Sequence, residues 1–182
     1  MRGIDKARLA LAGLIAPGHM FDSIREEGFF VVQKYAVEEL LADPRATPYE
    51  TIESGCNLML TAGATAYHQR VVGVDVSPGP TTLASTNARL AVGDGTAAAA
   101  AAQTDLQGAT KTRKVVDAPG TISGNQISFT STFDTSTGNH AWNEAGIANA
   151  GSGGVLFNRV VQSFGTKTAG LQWVLTGTLA FN

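Results

Sequence analysis

The sequence predicts a mainly β protein: an antiparallel β-sandwich, jelly-roll-like, behind an N-terminal α/β arm. Three observations lead there. Beyond residue 88, short runs of alternating apolar and polar residues are separated by Gly- and Asn-rich turns, the pattern of packed antiparallel sheets. Strong helical signals and most charged residues lie before Gly73. Charge is also sparse. Lys, Arg, Asp and Glu make up 15% of the chain, against about 25% in ordinary globular proteins, and glycine occurs 21 times. The chain therefore divides into an anchoring arm, 1–55, and a sandwich domain with a leading helix, 56–182.

In the arm, Ile4, Ala7, Leu11 and Leu14/Ile15 recur at helical spacing, with Asp5 early and Pro17-Gly18 as a stop. Asp5 and Arg8 interrupt what would otherwise be an apolar leader, so this is read as an amphipathic helix and not a signal peptide. "FFVVQKYAV" is a strand over 29–37, and "VEELLADP" a short helical turn ended by Pro44. Ile4, Leu11, Phe29 and Phe30 carry more apolar surface than their charged neighbours can hide. They are the residues expected to hold an assembly partner.

A helix over 62–72, entered through Thr61, is expected to bury the face bearing Leu60, Ala64, Tyr67 and Val71. Pro78-Gly79-Pro80 then forces a loop. "ARLAVGDG" is a strand running into a turn, with Gly93 and Gly95 at positive φ beside Asp94. "TAAAAAAQTDLQG" follows. Alanine is the best helix former, so one reading is a short helix with Thr96 as N-cap and Gly108 as its stop. The alternative is a mobile loop or a segment lying flat on another surface.

"TISGNQISFTSTF" is a hairpin turning at Gly124-Asn125. "HAWNEAGIAN" and "VLFNRVVQSF" are strands joined through "GSGG". In "LQWVLTGTLAFN", Leu171, Trp173, Leu175, Leu179 and Phe181 share one face. Trp173 is expected in the core, opposite Phe129 or Phe133. Strict alternation places Trp142 and Glu144 on one face of their strand. A half-buried Glu144 needs partners, and Arg159 on the next strand is the natural one.

The function classes narrow quickly. A net charge of −2 leaves no basic field for nucleic acid, and no apolar run is long enough to span a membrane. The single cysteine, Cys56, is read as a packed thiol. His19, His68 and His140 lack metal-ligand spacing. "GDG" lacks the Lys-Ser/Thr of a phosphate loop. Glu144 has no nucleophile or second carboxylate beside it. No catalytic, cofactor or metal residue is expected, and the chain is read as not an enzyme.

Several motifs in order resemble a known family. Ala91-Val92-Gly93-Asp94-Gly95, the small-residue tract, Thr104-Asp105-Leu106, Glu144-Ala145-Gly146-Ile147-Ala148-Asn149-Ala150, Gly153-Gly154 and Leu156-Phe157-Asn158-Arg159 resemble a bacteriophage virion domain. The domain is that of tail-collar fibre proteins and small tail or head accessory proteins. Phe157 interrupts the plainer Leu-Asn-Arg pattern. The upstream "NLMLTAGATAYHQRVVG" is similar to the segment that often precedes this domain, and the closing "GTKTAGLQWVLTGTLAFN" resembles its final strands, so the resemblance spans about 57–182.

It implies a non-enzymatic virion structural protein, assembled in the host cytoplasm, at the tail, neck or collar. The alternative is a decoration protein cementing the head. It also implies other virion proteins as partners and a homo-oligomer, a trimer first. Gly93, Asp94, Gly95, Glu144, Gly146, Arg159 and Trp173 are then structural residues. A carbohydrate-binding module would need exposed aromatics, which Trp142 and Trp173 are not expected to supply.

Overall fold

The computed structural model describes residues 28–73 and 82–180. Two antiparallel sheets of five strands form a β-sandwich. The first runs in the order β2-β1-β10-β7-β6, from β1 (Phe29–Ala36), β2 (Glu50–Glu53), β6 (Thr121–Ser123), β7 (Gln126–Phe133) and β10 (Leu171–Ala180). The second runs β3-β9-β8-β4-β5, from β3 (Leu58–Met59), β4 (Arg89–Gly93), β5 (Lys111–Val115), β8 (Ala141–Ala148) and β9 (Leu156–Thr166). Two helices accompany them, α1 (Val37–Ala42) and α2 (Thr61–Val72).

Alternation builds the core. Phe30 and Val32 of β1, Phe129 and Phe133 of β7, and Trp173, Leu175 and Leu179 of β10 meet Leu90, Val92, Trp142, Ala145, Ile147, Val160 and Phe164 of the second sheet. Trp173 pairs in register with Phe133. Its ring stands edge-on to Trp142 at 4.8 Å, and Trp142 to Phe133 at 4.7 Å, the geometry aromatic quadrupoles favour. The hairpin turns where its sequence requires it, with Gly124 at φ 58° between β6 and β7. Phe181 lies outside the described residues.

Strand β1, assigned above to the arm, belongs to the sandwich. It pairs along its whole length with β10 and on its other side with β2. Phe30 is fully buried, so it is unavailable to a partner, and Phe29 is half-buried on the opposite face. The boundary at residue 55 therefore cuts through a paired sheet. Ile4 and Leu11 lie outside the described residues.

Helix α2 also packs differently. It buries Gly63, Ala66 and Gln69, whereas Tyr67 and Val71 are 42% and 68% exposed. The reason is Gly63. A side chain there would strike the backbone of Phe157, whose Cα lies 2.5 Å from the position a Cβ would take. The helix thus approaches β9 on its small-residue face. Cys56 is exposed, not packed, because it lies in the crossing from β2 to β3 and outside either apolar cluster.

Two irregularities aim the side chains that matter. The β8–β9 ladder shifts between Trp142 and Glu144 and again between Ile147 and Ala148. At the second shift Ile147 pairs with Asn158 and Ala148 with Leu156, leaving Phe157 as the extra residue of a bulge. Asn158 Oδ1 accepts from Ile147 N at 2.9 Å there. The first shift breaks the alternation expected above. Trp142 enters the core with Ala145 and Ile147. Glu144 turns instead to the outer face of the sheet, where Ala91, Ala148, Leu156, Leu60 and Leu106 form a second, smaller cluster.

Candidate functional site

The centre of that outer face is a buried ion pair. Arg159 Nε donates to Glu144 Oε2 at 2.6 Å, and neither side chain has any exposed surface. Removing two charges from water is costly unless every polar valence is matched, and here the matching comes from the loop 94–110. Glu144 Oε1 accepts from Gly108 N at 2.7 Å and Gly95 N at 3.3 Å. Its Oε2 accepts from Gln107 N at 3.0 Å in addition to Arg159. The remaining guanidinium nitrogens reach Gln103 Oε1 and the Ala97 carbonyl, both at 2.9 Å.

This explains both glycines of "GDG" and the fate of the alanine tract. Gly93 and Gly95 do not have positive φ. They are needed for space. A Cβ on Gly93 would collide with Glu144 Oε1, and one on Gly95 would lie 2.6 Å from it and 2.5 Å from Gly108 N. Asp94 between them locks the loop mouth. Its N–H donates to Thr110 O at 3.1 Å, and its Oδ1 accepts from Thr110 N at 3.0 Å. The latter bond holds its carboxyl below the ordinary range.

The tract itself is not helical. Helix formation would consume the alanine carbonyls internally, but those of Ala97, Ala98 and Ala101 accept from Arg159, Gln103 Nε2 and Thr61 N. The bond to the buried Arg159 and the tertiary bond from Thr61 N outweigh a propensity of a few tenths of a kcal/mol per residue. Thr96 and Gly108 accordingly cap nothing.

The structure brings Gly93, Asp94, Gly95, Glu144 and Arg159 into one site, with Gly146 beneath it. A side chain at Gly146 would lie 2.5 Å from Asn158 O, so glycine lets β8 and β9 close at the bulge. Trp173 is on the other sheet, in the main core, under the ammonium of buried Lys34 at 4.6 Å.

Three side chains escaped the sequence reading. Gln103 braces Arg159 from within the tract, and as its first long polar residue it was a visible signal. Asp105 takes Arg113 at 2.6 Å and Lys111 at 3.0 Å. Burial, which raises its carboxyl, is outweighed by those hydrogen bonds, and it sits below the ordinary value. Lys167 is almost wholly buried and holds the loop before β8.

The brace leaves the loop as a ridge of methyl groups, with Ala97, Ala98, Ala100, Ala101 and Ala102 exposed. A groove lies on either side. One, of about 570 Å³, is bounded by Thr61, Thr65 and Gln69 of α2. The other, of about 630 Å³, is bounded by Cys56, Leu58 and Val161. Among the described residues no group of three potential metal ligands occurs. No helix there is long and apolar enough to cross a membrane. His140 shares a hydrogen bond with Thr112 Oγ1 at 3.0 Å, His68 stacks edge-on with Tyr67, and His19 lies outside the described residues. Comparison with family models, curated proteins and solved structures finds no match for this chain.

Proposed function

We propose that this chain is a non-enzymatic structural protein of a bacteriophage virion, acting at the tail, neck or collar to anchor or form fibres. The observation that carries the reading is the use of its densest polar centre. Glu144 accepts four hydrogen bonds and Arg159 donates three, all with each other, with backbone and with Gln103. Neither side chain has exposed surface to offer a substrate. What they produce is a rigid surface of short side chains. Such a surface loses little side-chain entropy when a partner covers it, which suits permanent assembly better than turnover. The motifs that resemble those of tail-collar proteins lie on this loop, on β4, β8 and β9, and on the turn between β8 and β9.

In this reading the partners are other virion proteins and copies of the chain itself, a trimer first. Because β1 and β2 are part of the sandwich, the anchoring role falls to the residues ahead of Gly28. A head-decoration protein is the second reading, and the paired grooves beside the ridge favour it, since each has room for an extended segment of a neighbouring capsid protein. Copy number in purified particles separates the two. A value matching a single tail or neck vertex supports the first. A value matching the capsid lattice replaces it with the second.

A further inference from the structure

Lys167 directly follows β9 and is 1% exposed. Its N–H donates to His140 O at 3.1 Å. Its Nζ donates to the carbonyl of Asp134 and to Asn139 Oδ1, the latter at 2.8 Å. All three acceptors lie in the loop between β7 and β8. The Asn139 amide is fixed from its other end, where Nδ2 donates to Thr135 O at 2.7 Å. An amine and a carboxamide are thus hydrogen-bonded to each other, each with a further tether to the same loop, in a place the assembly site does not use.

We propose that Lys167 and Asn139 form an intramolecular isopeptide bond. The Nζ already touches the amide oxygen, and the carbon it must reach is one carbonyl bond, about 1.2 Å, further on. Fixing both groups at this range replaces an encounter with a unimolecular step, the largest advantage available to a slow reaction. Burial also pushes the lysine ammonium down from its ordinary value, against the pull of the Asp134 charge, which raises the share of the neutral, nucleophilic amine.

The step balances without a co-reactant. The Nζ–Cγ bond forms and the Cγ–Nδ2 bond breaks. The lysine ammonium gives up two protons as Nζ becomes an amide N–H, and Nδ2 takes up both and leaves as ammonium. Nothing is oxidised or reduced. The product ties the end of β9 to the loop entering β8, across the mouth of the sandwich.

The test is the intact mass of the purified full-length protein after incubation at neutral pH. The expected mass is lower than that of the sequence by about 17 Da, one ammonia. Trypsin should then fail to cut after Lys167 and release residues 115–159 joined to 160–182. Lys167→Arg and Asn139→Ala should both run at their full sequence masses. Wild-type protein at full mass, giving separate peptides 160–167 and 168–182, overturns the proposal. An equal loss in both variants overturns it too, because the ammonia then comes from elsewhere.

Discussion

Replacing Glu144 by alanine removes the acceptor of four hydrogen bonds at once, from Gly95, Gln107, Gly108 and Arg159. It also leaves a guanidinium with no exposed surface unpaired. Breaking a buried pair in this way costs about 3–5 kcal/mol. For a chain of this size each kcal/mol shifts the melting temperature by about 2–4 °C, so Glu144→Ala should melt roughly 6–20 °C below wild type.

Glu144→Gln is not benign either. Each carboxylate oxygen faces two donors, so whichever way the amide turns, its NH2 meets two N–H groups. One orientation leaves Gly95 and Gly108 without an acceptor. Orphaned buried donors cost about 1–3 kcal/mol each, which puts the glutamine variant between alanine and wild type. Glu144→Leu combined with Arg159→Met should recover only the part of the loss that comes from the unpaired guanidinium, since the N–H groups of Gly95, Gln107 and Gly108 still lack their acceptor. Urea denaturation midpoints with unchanged slopes are the assay. If Glu144→Gln matches wild type, or Glu144→Ala loses less than about 1 kcal/mol, the carboxylate does not organise the loop.

Other outcomes follow from the same geometry. Gly93→Ala should destabilise because its Cβ collides with the Glu144 carboxylate, while Gly55→Ala, with nothing within 4 Å, should not; equal melting temperatures would remove the steric reason for glycine at 93. Asp134 has its carboxyl pulled from 3.8 to about 2, first by the Ser136 side chain and then by Thr137. A depressed carboxylate stabilises the fold above its unfolded value, and that contribution is lost as pH falls through the folded one. Stability should therefore drop between about pH 4 and pH 2, and Asp134→Asn should flatten that limb of the urea-midpoint profile. Exposed Cys56 should react with Ellman's reagent in the native protein; a thiol that appears only in denaturant would contradict its placement.

The strands were legible because alternation is a local property. Leu171, Trp173, Leu175 and Leu179 name their face without reference to any neighbour, and Gly124-Asn125 names its turn. Pairing Glu144 with Arg159 was legible from a buried carboxylate one strand away from a cation. The direction of Glu144 was not, because the ladder shift between Trp142 and Glu144 depends on both strands together. The alanine tract misled for a related reason. Its propensity is intrinsic, but the Ala97 carbonyl is captured by Arg159, 62 residues away along the chain, and the Ala101 carbonyl by Thr61 N. Helix α2 shows a third limit. Hydrophobic periodicity points to Tyr67 and Val71, yet Gly63 allows so close an approach to β9 that the small face wins. Strand β1 looked like part of an arm because its partner, β10, lies at the opposite end of the sequence.

Mass spectrometry of purified phage particles, followed by placement of the chain in an electron-microscopy map of the intact virion, tests the central claim most directly. The chain should be present and sit at the tail, neck or collar, with the ridge of residues 97–102 against a neighbouring protein. Absence of the chain from purified particles would contradict it, and so would a position in which that ridge faces only solvent.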